Sequence, residues 1–344
     1  MQKHFRKIAK VSLVLVYLVI AAGGIVRMTG SGMGCPDWPK CFGYYIPPTN
    51  SSELQWYADT EVKKGQIIIV DKALRVANKN FRTTTSYNKT NWDAYTKHDY
   101  AKFNVAHTWI EYINRLLGAI AGLATLVLAL VSISFFKKNK KITFFSWLVV
   151  LGMGFQAWLG ATVVYSVLEP VKITVHMIMA LVIVVLLLYV IKITKKSVVI
   201  TKVAKNILPL LSIVLLSTLI QIVLGTQVRQ FVDGRIDLVG EASKNQWLMD
   251  IDWKFYVHRS FSIIVILLNI LLARSIYVHK LNYKKVNWVL LLLFLEVISG
   301  VAMYYFDFPF ATQPIHLILA SLLFGVQFYL FLEAISSKKR YKSL

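Results

Sequence analysis

Apolar residues in this chain run almost unbroken for about the thickness of a lipid bilayer, and they do so eight times. The runs fall at roughly 11–27, 116–136, 144–164, 173–191, 207–226, 255–273, 286–305 and 315–335. Each is long enough to cross a hydrocarbon core of about 30 Å as a helix. A helix satisfies its own backbone polar groups there, which an open strand does not. The pattern predicts an all-α integral membrane protein with eight transmembrane helices. Composition agrees: the 344 residues are 56% hydrophobic, more than a soluble domain of this size carries. The first run is followed by further membrane spans and by no clear small-residue cleavage site, so it does not read as a removable signal peptide.

Charge sets the orientation. A net charge of +22 would suit a nucleic-acid binder, but its placement points elsewhere. The basic clusters lie at Lys3–Lys10, Lys137–Lys141, Lys192–Lys205, Lys280–Lys285 and Lys338–Lys342, which are the two termini and every second loop. The positive-inside rule puts all of them in the cytoplasm, so spans 2, 4, 6 and 8 start on the outer side. No nucleic acid is needed to explain the charge. The short basic stretch before the first span leaves no room for a transit peptide, so a bacterial inner membrane is expected, with both termini cytoplasmic.

The spans form two sets of four. Trp109-Ile110-Glu111-Tyr112-Ile113-Asn114-Arg115 opens the second span, and Trp253-Lys254-Phe255-Tyr256-Val257-His258-Arg259 opens the sixth. His176-Met177-Ile178-Met179-Ala180 in the fourth resembles His316-Leu317-Ile318-Leu319-Ala320 in the eighth. Gly24-Ile25-Val26-Arg27 recurs as Gly225-Thr226-Gln227-Val228-Arg229 with one residue added, and Gln156–Gly160 matches Glu296–Gly300 loosely. Both sets begin in the cytoplasm, so the expected arrangement is two parallel-repeat four-helix bundles, residues 1–200 and 201–344. The first includes a long outer loop, 28–103. Arg27 precedes Asn114 by 87 residues but Arg229 precedes His258 by 29, so this loop holds about 58 extra residues, Tyr44 to Phe103, read as a small cap.

The repeat isolates candidate chemistry. His176, His258 and His316 sit at one depth, with Asn114 where a fourth histidine would stand. His258 and His316 belong to one bundle, where two neutral imidazoles can hold a b-type haem from above and below. A zinc or copper site is the alternative, although that half offers no carboxylate or thiol at matching depth. His107 lies two turns before Asn114, about 10 Å along the axis. His4, His98 and His279 are expected in solvent. Glu111, where the sixth span has Phe255, is either ion-paired with Arg115 one turn on or an acid–base group of the first site. Arg27, Arg115, Arg229 and Arg259 suit haem propionates or lipid phosphates. Glu296 suits proton movement or an internal hydrogen bond. Cys35 and Cys41 flank a turn-rich segment in an oxidising compartment, which favours a structural disulfide over a redox pair.

The run Gly23-Gly24-Ile25-Val26-Arg27-Met28-Thr29-Gly30-Ser31-Gly32-Met33-Gly34-Cys35-Pro36-Asp37-Trp38-Pro39-Lys40-Cys41 resembles the haem A synthase family. The eight spans and the histidines extend the resemblance over nearly the whole chain, the insertion excepted. It implies oxidation of the C8 methyl of haem O by two successive hydroxylations, with loss of water to leave the formyl group of haem A. It implies haem b on His258 and His316, haem O in the N-terminal half with its iron on His176, Glu111 as the catalytic acid, and a Cys35–Cys41 pair. It also implies as partners the haem O substrate, membrane lipid, an electron donor, haem O synthase and cytochrome oxidase assembly proteins. The chain departs from the family at Asn114, which leaves that side of the substrate iron open or water-supported, with His107 as the rival ligand. Two other functions compete: a cytochrome b-like electron-transfer subunit, which would keep four histidines, and a haem transporter, which would release haem unchanged.

Overall fold

The computed structural model describes residues 2–98, 102–195 and 206–341, the side chains of 338–341 excepted. The basic residues from 196 to 205, the division after residue 200 and the side chains of the C-terminal basic cluster lie outside the described residues. Eight helices among the described residues are long and apolar enough to cross a membrane. They are α1 (Gln2–Met28), α2 (Val105–Ser132), α3 (Lys140–Tyr165), α4 (Pro170–Ile193), α5 (Ile207–Val239), α6 (Trp253–Val278), α7 (Val286–Tyr305) and α8 (Thr312–Tyr341). Several outrun the apolar stretch that announced them. α5 continues to Val239 because Phe231, Val232, Ile236 and Val239 fall on one stripe, which packs against Trp247 and Phe308. Large apolar side chains such as Leu123, Leu151, Leu216, Ile263 and Phe294 point outward, as helices facing lipid require.

The chain divides into two compact units. One consists of Met1–Gly24, Ala121–Met153 and Met177–Leu344, the other of Ile25–Ile120 and Gly154–His176. In the first, α5 packs against α6 and α8, and α7 packs against the same two, so the four close a ring with α6 and α8 at opposite corners. Leu211, Val214, Leu272, Val289 and Leu330 fill it. Deeper in, the Gln327 side-chain amide donates to Asn269 Oδ1 at 3.0 Å, both residues fully buried. A second apolar cluster joins Phe5, Ala9, Leu128, Val149, Val184 and Leu187.

The second unit contains structure that a purely helical reading lacks. Among the described residues, five short strands, β1 (Glu61–Val62), β2 (Ile67–Val70), β3 (Ala73–Ala77), β4 (Phe81–Arg82) and β5 (Trp92–Ala94), form two antiparallel sheets, β1–β4 and β2–β3–β5. Asp71 and Lys72, both at positive φ, turn β2 into β3, as a two-residue hairpin demands. Adjacent residues of β2 then serve opposite faces: Ile67 joins Cys35, Cys41, Phe42 and Leu54, while Ile68 joins Val62, Ala77 and Trp92. The far end of the insertion is tied back to its beginning, since the Pro36 carbonyl accepts Tyr95 Oη at 2.8 Å and His98 Nε2 at 2.9 Å. His98 is thus half-buried and bonded rather than solvated. His4 and His279 are exposed.

Candidate functional site

Each of the three membrane histidines has the same setting. On the preceding helix, a glycine faces its ring: a Cβ built on Gly160, Gly225 or Gly300 would meet Cε1 of His176, His258 or His316 at 3.5, 3.1 and 3.6 Å. Four residues before each glycine stands an amide or acid, Gln156, Gln221 or Glu296. One helical turn places both on the same face. Gln156 Nε2 donates to the His176 carbonyl and Gln221 Nε2 to the His258 carbonyl, each at 3.0 Å. Glu296 instead reaches the ring of His316, with Oε2 at 2.8 Å from Nδ1, and Ser299 Oγ lies 2.8 Å from the same nitrogen, so this half does carry a carboxylate at the depth of its histidines, contrary to the sequence expectation. The apolar run hides Gln221 and Ser299 from sequence reasoning. The repeated spacing of glutamine or glutamate and glycine, at 156/160, 221/225 and 296/300, is the signal that could have found Gln221.

His258 on α6 and His316 on α8 occupy opposite corners of the α5–α8 ring. Nδ1 of His176 and Nδ1 of His258 are buried without a hydrogen-bond partner. Among the described residues, no group of three or more His, Cys, Asp and Glu side chains could hold a bare metal ion. Two opposed imidazoles are instead the donor set for a group that brings its own equatorial ligands, as a haem does. The residues present therefore fit a haem.

The start of α2 is built differently. Gly34 lies so close that a Cβ there would collide with the His107 carbonyl oxygen, and the Thr108 hydroxyl donates to the Gly34 carbonyl at 2.8 Å. This close approach, open to glycine alone, carries the Cys35–Cys41 disulfide onto the helix, with both cysteines buried. Glu111, 4% exposed, accepts the Cys35 backbone N–H at 2.8 Å and pairs with Arg115 one turn on. Arg115 also donates to the carbonyls of Asp37 (2.6 Å), Lys40 (2.8 Å) and Cys35 (3.1 Å). Its guanidinium thus lies within the disulfide loop. Asp37 closes the same loop by accepting the N–H groups of Phe42 and Gly43 at 2.5 and 2.8 Å. Burial pushes the Asp37 carboxyl upward, against the opposing pull of those amides and of Arg115.

The other candidates are placed as follows. Asn114 is half-buried on α2, with a buried Oδ1 that has no partner. His107 lies in the first turn of α2, its backbone N–H donating to Asn104. Arg229 pairs with Asp233 at 2.7 Å, Arg259 stacks over the Tyr304 ring at 5.7 Å, and Arg27 stands in the last turn of α1.

Fold and site together define a multi-pass helical membrane protein with two histidines on opposite corners of a ring of four helices. A family model described as COX15-CtaA, cytochrome oxidase assembly protein, matches residues 6–81 and 62–328. The chain belongs to this family. It is similar to the Heme A synthase of Ehrlichia canis, 24% identical over 92% of this chain and 88% of the relative. A second relative, the Heme A synthase of Flavobacterium johnsoniae, is 23% identical over 92% of this chain and 93% of its own length. The Heme A synthase of Shewanella oneidensis is 27% identical over 63% of this chain, a match that spans 54% of that protein.

Proposed function

We propose that this protein is a haem A synthase, oxidising the C8 methyl of haem O to a formyl group with the help of a resident haem b. The observation that carries the reading is the recurrent setting of glycine, glutamine or glutamate, and histidine at His176, His258 and His316. In this reading the two halves are parallel repeats, residues 1–200 taking the substrate and residues 201–344 the cofactor. His258 and His316 hold haem b, which supplies one-electron redox chemistry when bound. A haem held by two histidines would serve electron transfer, so oxidation of substrate belongs to the other half.

There His176 binds the substrate iron. Asn114 leaves the facing side without an imidazole, and its unpartnered Oδ1 is suited to hold water. Glu111 is the acid–base group of the substrate half, its carboxyl oriented by the Cys35 amide and by Arg115. Arg27, Arg229 and Arg259 stand near the outer boundary for propionates. Arg115 reaches a propionate only if it gives up a loop carbonyl. The Lys and Arg distribution supports cytoplasmic termini, and a bacterial inner membrane accords with the bacterial sources of the relatives. An electron donor, haem O synthase and cytochrome oxidase assembly proteins are the expected partners.

Membranes containing the protein and supplied with haem O should yield a formyl-haem on pigment extraction. Recovery of haem O alone would overturn the reading in favour of a transporter or an electron-transfer subunit. His176→Ala should abolish binding of haem O at this site, while His107→Ala should leave the substrate haem spectrum unchanged. Conversion from low to high spin in His107→Ala would make His107 the missing ligand.

A further inference from the structure

Glu296 and Ser299 do for His316 what nothing does for His258. The Ser299 hydroxyl donates its single hydrogen to the Glu296 carbonyl at 2.9 Å. Towards His316 Nδ1, 2.8 Å away, that oxygen is therefore left to accept. The Glu296 carboxylate, 2.8 Å from the same nitrogen, is an acceptor too. Nδ1 thus carries the hydrogen, and the lone pair is left on Nε2, the nitrogen free to bind iron. His258 has no such constraint. Its Nδ1 is buried without a partner, Gln221 is bonded to its backbone carbonyl, and Gly225 lies close to its Cε1.

We propose that Glu296 is a positioning residue that makes the two imidazoles of the C-terminal site unequal, His316 the stronger donor to iron and His258 the weaker. The proposal rests on the reading that His258 and His316 hold haem b. A carboxylate bonded to the far nitrogen of a ligating imidazole fixes its orientation and raises its basicity. Glu296 has a side chain only 12% exposed, in surroundings that strengthen such a bond. A more basic ligand favours ferric over ferrous iron, so Glu296 holds the potential of this haem down. The carboxylate occurs at one of the three equivalent positions. Gln156 and Gln221 at the other two spend their amides on backbone carbonyls, where they hold the helix and leave the ring electronically untouched.

The test is a redox titration, with ferric electron paramagnetic resonance spectra, of the purified full-length protein carrying haem b. Glu296→Gln keeps an acceptor for Nδ1 but removes the charge. It should retain low-spin haem with a raised midpoint potential and shifted ferric g values. Glu296→Ala should bind haem about 10- to 100-fold more weakly. Gln221→Ala removes the equivalent side chain in the same bundle and should leave the midpoint where it was. Ser299→Ala, which keeps the carboxylate, should shift the midpoint in the same direction by less and serves if Glu296→Gln fails to assemble. An unchanged midpoint and spectrum in Glu296→Gln would overturn the proposal, as would an equal shift in Gln221→Ala, which would mark packing as the cause. His316→Ala separates the two levels: if it retains the original low-spin spectrum, the haem assignment itself fails, whatever Glu296 does.

Discussion

Oε2 of Glu111 accepts the backbone N–H of Cys35 at 2.8 Å, and so joins the one buried acid of α2 to one half of the disulfide. Arg115 grips the same loop from the next turn through three carbonyls. The candidate acid and the covalent crosslink are therefore one construction. A structural role and a chemical role for Glu111 can be told apart because its two oxygens have different partners.

Glu111→Ala strands the Cys35 amide and takes the anion from Arg115. Removing one member of a buried pair costs about 3–5 kcal/mol, and the carbonyls that Arg115 keeps place this case near the lower end. Glu111→Gln retains an acceptor for the amide but turns its NH2 toward Arg115, so it should lose less than Glu111→Ala without matching the unaltered protein. Loss of formyl-haem production in this second variant, in protein still folded at the assay temperature, is the outcome expected of an acid–base group. Full turnover would reduce Glu111 to a structural role.

Cys35 and Cys41 are six residues apart, so the crosslink closes a short loop. Replacing both with serine should cost about 2 kcal/mol on loop-closure grounds. The loss should not add to that of Glu111→Ala, because both act through the same amide. Residues sharing a partner show coupling of about 0.5–3 kcal/mol, which a double-mutant cycle of thermal or denaturant melts would read. Strict additivity would mean that the disulfide does not position Glu111.

The three glycines that face histidines should differ in tolerance. Alanine at Gly160 or Gly300 places its Cβ 3.5 or 3.6 Å from the imidazole, an ordinary contact, whereas at Gly225 it comes to 3.1 Å of His258. Gly→Ala inside a helix favours folding by about 1 kcal/mol, so none of the three is expected to fail for want of helix. Gly225→Ala should lower the haem b content of the purified protein and alter its spectrum, while Gly160→Ala and Gly300→Ala should not. A reversed order would exclude the ring contacts as the cause.

Glu53 offers a pH test outside the membrane. Its Oε1 accepts from the Thr49 N–H, the Thr49 hydroxyl and the Asn50 N–H, and the Thr49 backbone bond leads in holding the carboxyl below its ordinary value of 4.5. A lowered folded-state value means that the contribution is complete above 4.5 and fades as pH falls through the depressed value. Hydrogen exchange across residues 49–54 should be slower than in Glu53→Gln at neutral pH, and the difference should close in acid. Comparison at matched pH cancels the intrinsic dependence of exchange. A difference that persists in strong acid would mean that the charge on Glu53 is not its source.

Much of this could be read from the sequence, for identifiable reasons. Bilayer thickness imposes a length on every span, so all eight were visible as runs, and histidine is rare enough in such runs that three at one depth stand out. Helix ends were less visible. Beyond the hydrocarbon, α5 is held by a stripe packed on Trp247 and Phe308, a contact made through a distant loop. The strands of the insertion are two to five residues long, too short for alternation to declare itself. Gln221 escaped because its partner is a backbone carbonyl on another helix, and only its spacing before Gly225 marks it in the sequence. Glu296 was seen, but its bond to the His316 ring, as against the carbonyl bonds of Gln156 and Gln221, is a matter of one side-chain direction.

The carbonyl of Pro36 accepts both Tyr95 and His98, so the chain leaves for the insertion and returns from it at a single stitch beside the disulfide. A segment anchored in this way behaves like a pendant: its length is free to vary while the clasp stays fixed. Such a segment can be enlarged, trimmed or exchanged without rethreading a helix through the bilayer. The disulfide loop is then the attachment point on which an outward-facing surface can be changed while the chemistry beneath it keeps its register.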